Sequence, residues 1–532
     1  MKYASTVVAL LLSSSSVARA YTVTVTDFTD DVAAGPPCSV REALDEVSAV
    51  ANGCVLEGIA EEPYVVVLPA GPYLIDGGTL TVSNKELRGA GSGRSVLRLG
   101  LDNSWLITIA GTSTLRGMTL LWTGEGVLAS AVIATGASAQ GLLTDVDIRG
   151  FQLTSNSAAN GGGSAITAAS GATVTMRGGR IVGCHGHGWA AVAFSNGHVA
   201  IEDTVFEGNR TQRGVVAGIG GTSRVDVTRS VFRDGVHDFN TYAAVYGNVG
   251  VRDSLFANNL VLGHPFVDGG EVTILSSTFV GNSVFPSRLI NDGVLENVTV
   301  VGNAVGAGTG AVGNMSVRSS VIADNLPADI GDFMSGGFNV IGTFVGTTGP
   351  LTSDQVGVAA GLLPFDGKVV PLAGDSPARD AADCASLILG GPSTTDQLGA
   401  GRPWGAGCDA GAAEFRSTPL LVAVTPAAAG VCDSEGWAVA AGLDDDGSGV
   451  LDAGEVDVAP DPICAQVCAT CETCVACPEP EECPPAGGDS ADGSSSGDGC
   501  SGTGGALSLW PVLLLALAAS MRAALARHRK GG

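Results

Sequence analysis

A short repeat in the middle of this chain constrains its fold more than any other feature. Seven segments align without gaps, and their starts are 21 to 26 residues apart: Val174, Val199, Val225, Val249, Val272, Gly293 and Met315. Each segment begins with alternating apolar and polar residues, which is typical of a strand with one buried face. The unit is too short for a propeller blade and lacks helical periodicity. It therefore predicts the coils of a parallel β-helix, with a β-sandwich of irregular hairpins as the alternative.

Two positions of the repeat indicate how the coils stack. The eighth position is apolar throughout, and four successive units carry phenylalanine there: Phe206, Phe232, Phe256 and Phe279. We expect these rings to lie on one another inside the solenoid. The eleventh position is asparagine in five units: Asn209, Asn259, Asn282, Asn303 and Asn325. Asparagine tolerates the left-handed backbone of a sharp turn, and stacked amides can bond from coil to coil.

Composition limits the possible partners. The net charge is −26, which argues against nucleic acid, because phosphate contacts need a basic surface.

Glycine is abundant, at 78 residues, and aromatic residues make up only 5% of the chain, which suits a fold with many tight turns. The 13 cysteines are expected to form mostly disulfides if the chain is exported.

The first twenty residues predict export. Met1 and Lys2 precede a short apolar run, and Ala18-Arg19-Ala20 follows a serine tract. A charged start, a short apolar core and small residues at the end are typical of a secretory signal peptide. We expect cleavage after Ala20.

Sequence around the first cysteine resembles a known family. "PPCSVREALDEV" is similar to the Cys-Ser-Leu-Arg-Glu-Ala motif that opens many secreted right-handed β-helix proteins, with Val40 and Leu44 replacing Leu and Ile. "GDSPARDAADC" and "TDQLGAGRPWGAGCDAGAAEF" resemble the end of the same family. Ser39 is a suitable N-cap for a helix that would cover one end of the solenoid. With this resemblance, the disulfide candidates at the two caps are Cys38 with Cys54 and Cys384 with Cys408.

Catalytic residues are harder to find in the sequence. Gly186-His187-Gly188 is similar to a motif of pectin-cleaving β-helix hydrolases, and Asp145, Asp147 and Asp203 lie on neighbouring units. The other motifs of those hydrolases, Asn-Thr-Asp, paired Asp and Arg-Ile-Lys, are missing. No pattern marks the Ca²⁺ cluster and base of a lyase. The sequence identifies no catalytic residue, and surface turn residues explain His185 and His187 better than metal ligands do.

A calcium loop follows the solenoid. "LDDDGSGVLDAGE" matches the spacing of an oxygen-ligand loop, with a turn glycine at Gly449. The predicted Ca²⁺ ligands are Asp444, Asp446, Ser448, Val450 through its carbonyl, Asp452 and Glu455. The bracketing cysteines, Cys432 and Cys464, are further disulfide candidates, and this region resembles a small module of myxobacterial surface proteins. The flanks do not predict an ordinary helix pair.

The end of the chain indicates a surface location. Cysteines at 468, 471, 474 and 477 and an acidic Gly/Ser/Pro-rich stretch predict a disulfide-bonded, disordered stalk. An apolar segment then precedes Arg522 and further basic residues, a pattern of a membrane segment with a cytoplasmic stop. The tail resembles myxobacterial C-terminal sorting tails, which implies Cys500 as a processing site; a plain membrane anchor is the alternative.

The predicted fold is all-β: a right-handed single-stranded parallel β-helix with capping segments, a small calcium-loop module and a hydrophobic tail. The expected parts are a signal peptide (1–20), N-terminal cap and first coils (21–100), β-helix (101–345), last coils and C-terminal cap (346–418), calcium module (419–467), stalk (468–505) and tail (506–532). We expect an exported surface protein, structural or adhesive, that binds carbohydrate or another surface protein. The alternative is a polysaccharide hydrolase or lyase.

Overall fold

The computed structural model describes residues 21–464, with gaps. The gaps are 30–36, 52–53, 59–63, 77, 100–104, 123–129, 155–163, 188–192, 196, 212–214, 219–222, 239–244, 269–271, 307–309, 387–390, 417–419, 427–435 and 444–455. Two compact units divide the chain, the first ending at Phe415. Within the first unit, parallel strands from successive coils pair in register, which confirms a parallel β-solenoid.

Strands from successive coils form four parallel stacks, numbered here in the order in which the chain passes through them. Stack 1 contains Tyr64–Leu68, Glu86–Gly89, the first part of Thr112–Trp122 and of Gln140–Arg149, Thr173–Arg177, His198–Glu202, Arg224–Thr228, Val249–Arg252, Thr273–Leu275, the second part of Ile290–Glu296 and of Val312–Arg318, and Met334–Gly337. Stack 2 contains Gly71–Ile75, Ser95–Leu99, the second part of Thr112–Trp122 and of Gln140–Arg149, Arg180–Val182, Val205–Glu207, Val231–Arg233, Leu255–Ala257, Thr278–Val280, Thr299–Val301, Val321–Ala323, Val340–Ile341 and Gln355–Val356.

The other two stacks complete the coil. Stack 3 contains Gln152–Thr154, His185–His187, Arg210–Thr211, Val236–Asp238, Leu260–Leu262, Ser283–Phe285 and Ala304–Val305. Stack 4 contains Leu80–Ser83, Trp105–Ala110, Ser130–Ala134, Ser164–Ala168, Ala193–Ser195, Val216–Gly218, Val245–Gly247, Val267–Asp268 and the first part of Ile290–Glu296 and of Val312–Arg318.

The predicted phenylalanine column lies in the core of stack 2. The ring centroids of Phe206 and Phe232 are 4.3 Å apart, those of Phe232 and Phe256 are 4.8 Å apart, and those of Phe256 and Phe279 are 4.5 Å apart. All four side chains are buried, and their planes are within 12° of parallel. Equivalent positions thus bury equivalent side chains, as the repeat predicts.

Hydrogen-bonded ladders of polar side chains fix both turns that flank stack 2. After stack 1, the Oγ of Ser230 accepts from Thr204 N at 3.3 Å, and the Oγ of Ser254 accepts from Ser230 N at 3.1 Å. After stack 2, the Oδ1 of Asn282 accepts from Asn259 N at 3.0 Å. These ladders satisfy buried backbone groups, which would otherwise cost stability.

The asparagine prediction is right about the ladder and wrong about the backbone. The Oδ1 of Asn303 accepts from Asn282 N at 2.9 Å, so the amides do connect the coils. The left-handed residue, however, is the one before each asparagine, and these five residues have positive φ: Gly208, Asn258, Gly281, Gly302 and Asp324. Gly183 and Asp234, which precede Cys184 and Gly235 in the other two coils, also have positive φ. The physical reason is that two neighbouring residues have separate roles. The first adopts the left-handed backbone of the turn, and the buried asparagine amide after it makes the hydrogen bonds between coils.

Two short helices close the N-terminal end. The first, Val40–Leu44, begins at Ser39, whose hydroxyl accepts from Glu42 N while the Glu42 carboxylate accepts from Ser39 N. Asp45 has an extended backbone and separates this helix from the second one, Glu46–Ala51. Strand Tyr21–Thr24 pairs antiparallel with Val55–Glu57 and parallel with Tyr64–Leu68. The predicted Cys38–Cys54 disulfide is present.

Residues 357–415, which follow the last strand of stack 2, form a segment that packs along the side of the solenoid. The Oε1 of Gln397 accepts from the Thr278 hydroxyl at 2.6 Å, and the Thr299 hydroxyl accepts from Ala412 N at 2.9 Å. Its apolar residues pack on stack 2, where Val321 and Val340 form a cluster with Ala360, Leu372, Ala378 and Ala410. The predicted Cys384–Cys408 disulfide is present, and a two-strand ladder joins Ala385–Ser386 to Gly391–Pro392. We name this region the side segment.

The second unit contains a three-stranded antiparallel sheet. Its strands are Leu420–Pro426, Gly436–Leu443 and Val456–Cys464, and Gly442 pairs with Val456. The strands on either side of the predicted calcium loop therefore form a hairpin and not a helix pair. Among the residues that the structure describes, no helix is long and apolar enough to cross a membrane.

Candidate functional site: the first-turn face

One row of turn residues follows the solenoid at the junction of stacks 1 and 2. Its members occupy the fifth position of the repeat, and all seven adopt a left-handed backbone: Gly178, Asp203, Arg229, Asp253, Ser276, Asn297 and Ser319. Because each coil adds one member, neighbours in the row are about one strand spacing apart, roughly 4.8 Å. We call this row, with the adjoining outward side chains of stack 1, the first-turn face.

Charged side chains on this face are paired from coil to coil. Arg229 Nε lies 2.7 Å from Asp203 Oδ1, and Arg229 Nη2 lies 2.8 Å from Asp203 Oδ2, a bidentate arrangement. Glu202 Oε2 lies 2.9 Å from Arg177 Nε and 4.0 Å from an Arg229 nitrogen. The hydrogen bond from Arg229 holds the pKa of the Asp203 carboxyl below its usual range. Four charges on three coils thus form one connected network, open to solvent.

Asp253 has a different environment. It is half-buried, and its carboxylate has no hydrogen-bond partner within the described part of the chain. Burial raises its pKa to about 7; the negative charge of Asp396 adds to this effect, and Arg252, Arg229 and Arg402 oppose it. Asp253 is therefore protonated in part at neutral pH, whereas Asp203 is ionised.

The side segment explains why the row changes character at Asp253. Asp203 and Arg229 are exposed, Asp253 is half-buried, and Ser276, Asn297 and Ser319 are buried. Gly411 N of the side segment donates to Ser319 O at 2.8 Å, which marks the covered part of the row. Asp253 thus lies where the row passes beneath the segment.

A buried ion pair holds the nearby part of the side segment in place. Arg402 Nη1 lies 2.6 Å from Glu414 Oε1, and neither side chain is exposed. Glu414 also accepts from Trp404 N and Asp409 N, while Asp396 accepts from Leu398 N, Ala400 N and Glu414 N. Because these carboxylates are hydrogen-bonded within the side segment, the part of the segment beside Asp253 is held in place by its own contacts.

The structure does not assemble the histidine-containing site that the sequence suggested as an alternative. His185 and His187 lie on stack 3, with His185 exposed and in register with Arg210. Asp147 is buried on stack 2, where it bonds to Arg149, and Asp145 and Asp203 are turn residues after stack 1. Within the described ranges, no group of three His, Cys, Asp or Glu side chains is placed to hold a metal ion.

Several predicted site residues lie outside the described part of the chain. These are the calcium ligands Asp444, Asp446, Ser448, Val450, Asp452 and Glu455, the processing residues Ala20 and Cys500, and Cys432. Cys464 ends the last described strand, but its side chain is not described. Both disulfides predicted within the first unit are present.

Sequence reasoning missed Asp253. Its signal was the fifth column of the repeat, in which Asp203, Arg229 and Asp253 follow one another in consecutive units. Such a column predicts side chains stacked at one turn, so the alternation of charge along the row could be predicted from the sequence. The partial burial of Asp253 could not be predicted, because it is caused by the side segment, which lies more than a hundred residues later in the chain.

Comparison with known proteins assigns this chain to no family. No family model matches the chain, and no curated protein matches it. Among solved structures, it resembles ORF18 of Geobacillus virus E2, with 13% identity over 61% of this chain and 62% of that one, at a TM-score of 0.29. It also resembles the PL6 family alginate lyase AlyGC, with 12% identity over 59% of this chain and 53% of that one, at a TM-score of 0.32.

A third similar structure is the A-module of the Azotobacter vinelandii mannuronan C-5 epimerase AlgE4. The identity is 14%, over 59% of this chain and 94% of the module, at a TM-score of 0.25. The matched region spans less than two thirds of the first two structures. Likeness at this level concerns the fold and carries no argument about what the chain binds.

Proposed function

We propose that this protein is an exported β-solenoid of the cell surface that binds an extended carbohydrate polymer along its first-turn face. The observation that carries the proposal is the connected row Arg177, Glu202, Arg229 and Asp203. A row with one member per coil suits a ligand that repeats along its length. Sugar units in an extended glycan follow one another at a spacing similar to the rise of one coil.

The chemistry of the row suits sugars. Guanidinium groups present several donors in a fixed plane, and carboxylates accept from hydroxyls. Because the groups already hold one another, little side-chain freedom is lost when a ligand binds. Arg116 and Arg252 extend the exposed outward side of stack 1 beyond the paired residues. The face therefore combines positive charge with acceptors on a protein that is acidic overall.

Export and surface display belong to the same proposal. Two disulfides in the solenoid unit support an oxidising location. The proposed route uses the signal peptide at 1–20 and the tail at 506–532, with Cys500 as the processing site and the membrane as a transient partner. The proposed Ca²⁺ site at 444–455 would stabilise the hairpin between the solenoid and the stalk.

A binding experiment tests the function. The purified protein is applied to a glycan array and to affinity gels that contain polygalacturonate, alginate, xylan or dextran. We expect retardation by at least one polymer, and Arg229→Ala to weaken it at least about tenfold. Arg210→Ala is the matched control, because Arg210 is also an exposed arginine but lies on stack 3. Equal effects of the two variants, or no binding of any glycan, would contradict the proposal.

A further inference from the structure

The outward face of stack 3 changes from polar to apolar along the solenoid. Its earlier coils carry exposed polar side chains, among them His185, Arg210 and Asp238. On the last four coils of this face, the exposed side chains on or beside the strands are apolar: Leu260, Leu262, Phe285, Pro286, Leu326 and Pro327. We call these six residues, together with Ser283 and Ala304 between them, the apolar patch.

Strand pairing arranges the patch in two columns. The first column contains, coil by coil, Leu260, Ser283, Ala304 and Leu326. The second column contains Leu262 and Phe285, which pair with each other. Four coils of about 4.8 Å, and about six residues of 3.3 Å from turn to turn, give the patch an area of roughly 400 Å². A contiguous exposed apolar area of this size often marks an interaction site.

The charge of the protein limits where two copies can approach each other. With a net charge of −26, two chains repel each other at most of their surface. Strands of the other faces carry outward charges, such as Glu202 on stack 1 and Glu207 on stack 2. None of the eight residues of the apolar patch is charged. Contact through the patch therefore buries apolar area without leaving a charge unpaired.

The two columns of the patch are complementary to each other. We propose that the apolar patch is the interface between two copies of this chain, packed side by side with their solenoids running in the same direction. A two-fold axis along the solenoid exchanges the columns, so Phe285 of one copy faces the small Ser283 of the other. Leu260 likewise faces Leu262 of the other copy. Large side chains thus meet small or equal ones across the interface.

The opposite orientation does not give this fit. Antiparallel solenoids centred on the patch would place Phe285 of one copy over position 306 of the other, because Val305 pairs with Val284. The space above Gly306 is already filled, since a Cβ atom there would lie 1.8 Å from the carbonyl oxygen of Pro286. The ring would therefore meet an exposed proline instead of a gap. The side chains favour parallel solenoids.

The size of the patch determines the strength of the pairing. Two copies would bury about 800 Å² in total, which is at the low end for specific interfaces and typical of transient ones. We expect a reversible dimer with a Kd on the order of 10–100 µM. The inference concerns a different face from the first-turn face and does not depend on glycan binding.

Sedimentation equilibrium of the purified full chain, over about 5 to 500 µM, measures the dimer. Leu260→Glu and Leu262→Lys should each raise the Kd at least about tenfold, because each places an unpaired charge against an apolar side chain of the other copy. Leu74→Glu is the matched control, since Leu74 is a 41% exposed leucine on a strand of stack 2 and Leu260 is 36% exposed. Melting curves confirm that each variant is folded.

An equimolar mixture of L260E and L262K tests the orientation. With the columns exchanged, the introduced glutamate of one copy faces the introduced lysine of the other, and the second contact remains leucine against leucine. The mixture should therefore associate at least about fivefold more tightly than either variant alone. Antiparallel solenoids would keep positions 260 and 262 apart, and the mixture would gain nothing.

The outcomes separate the parts of this inference. A wild-type protein that stays monomeric over the whole range would overturn the interface. Association that L260E and L262K leave unchanged, or that L74E weakens equally, would show that another surface pairs and would also overturn it. Weakening by both patch variants without recovery in their mixture would overturn the parallel arrangement. Glycan binding by a monomeric protein would leave the proposed function standing.

Discussion

A Cβ atom on residue 235 would lie 2.5 Å from the Nε2 of His237, and the chain carries glycine at position 235. Gly235 occupies the repeat position at which five other coils carry the ladder asparagine. The His237 ring fills the space of the missing side chain, and its Nδ1 lies 3.0 Å from the Thr211 hydroxyl. The ladder continues because Gly235 N donates to Asn259 Oδ1 at 3.0 Å.

This buried imidazole predicts acid sensitivity. Burial lowers the pKa of His237 to about 3, so the folded state favours the neutral ring. The stability that the protein gains by holding this ring neutral is fully present above pH 6.5. It decreases by roughly 1.4 kcal/mol per pH unit as the pH falls toward 3. Urea unfolding at pH 7, 5.5 and 4 should find His237→Val gaining stability relative to the wild type as pH falls. Valine is the residue in register on the next coil, Val261. If the free energies of unfolding of the wild type and His237→Val depend on pH in the same way, the prediction is wrong. His185→Val is the control, because His185 is exposed.

The phenylalanine column predicts a large loss on truncation. Phe256 is fully buried and stacks on both Phe232 and Phe279. Phe256→Ala should lower the free energy of unfolding by about 3–5 kcal/mol, because it removes the ring and leaves a cavity. Phe285, which is 45% exposed, is the matched control, and Phe285→Ala should cost much less. Chemical denaturation followed by circular dichroism measures both. Similar losses in the two variants would mean that the column is not a core.

The asparagine ladder gives a second stability prediction. Asn282 accepts from Asn259 through Oδ1 and donates through Nδ2 to Phe256 O and Asn303 Oδ1. Asn282→Leu leaves a buried backbone N–H without its acceptor, a loss of about 1–3 kcal/mol for that group alone. Asn258→Gly, at the adjacent exposed left-handed turn, should change stability by less than about 0.5 kcal/mol. Urea midpoints compare the two, and an equal change in both would contradict the ladder's role.

The calcium prediction concerns residues between two described strands. Millimolar Ca²⁺ should raise the melting temperature of the transition that contains the hairpin of Gly436–Leu443 and Val456–Cys464. Asp444→Asn with Glu455→Gln should abolish this shift, because both remove a charged oxygen ligand. Differential scanning calorimetry with Ca²⁺, Mg²⁺ or chelator measures it. An unchanged transition in Ca²⁺ would leave the loop a simple turn.

The tail gives a prediction about the mature protein. A membrane anchor needs an apolar stretch and a basic stop but not the cysteine at its border. We therefore expect the residues after Cys500 to be removed from the surface-displayed protein. Intact mass spectrometry reads the end directly, and Cys500→Ser should block the removal. A mature chain that still ends at Gly532 would favour the plain anchor.

Local repetition explains which features could be predicted from the sequence. Phe256, Asn282 and Ser39 act through partners on the neighbouring coil or within the same turn, so spacing alone located them. The left-handed backbone was assigned one residue too late, because Asn282 and Asn258 differ in burial and not in residue type. The environment of Asp253 was unpredictable because Asp396 and Arg402 approach it from a segment without any repeat.

The side segment also bears on how the chain reaches its native state. Coils bond to coils about two dozen residues away, so they can assemble stepwise from any starting point, as in other linear arrays. Thr278 and Gln397, by contrast, are 119 residues apart, and Thr299 and Ala412 are 113 apart. Such non-local contacts raise contact order and form slowly, after the coils that receive them. Docking of the segment would then lock several coils into one cooperative block, and the edge beside Asp253 would be completed only in that final step.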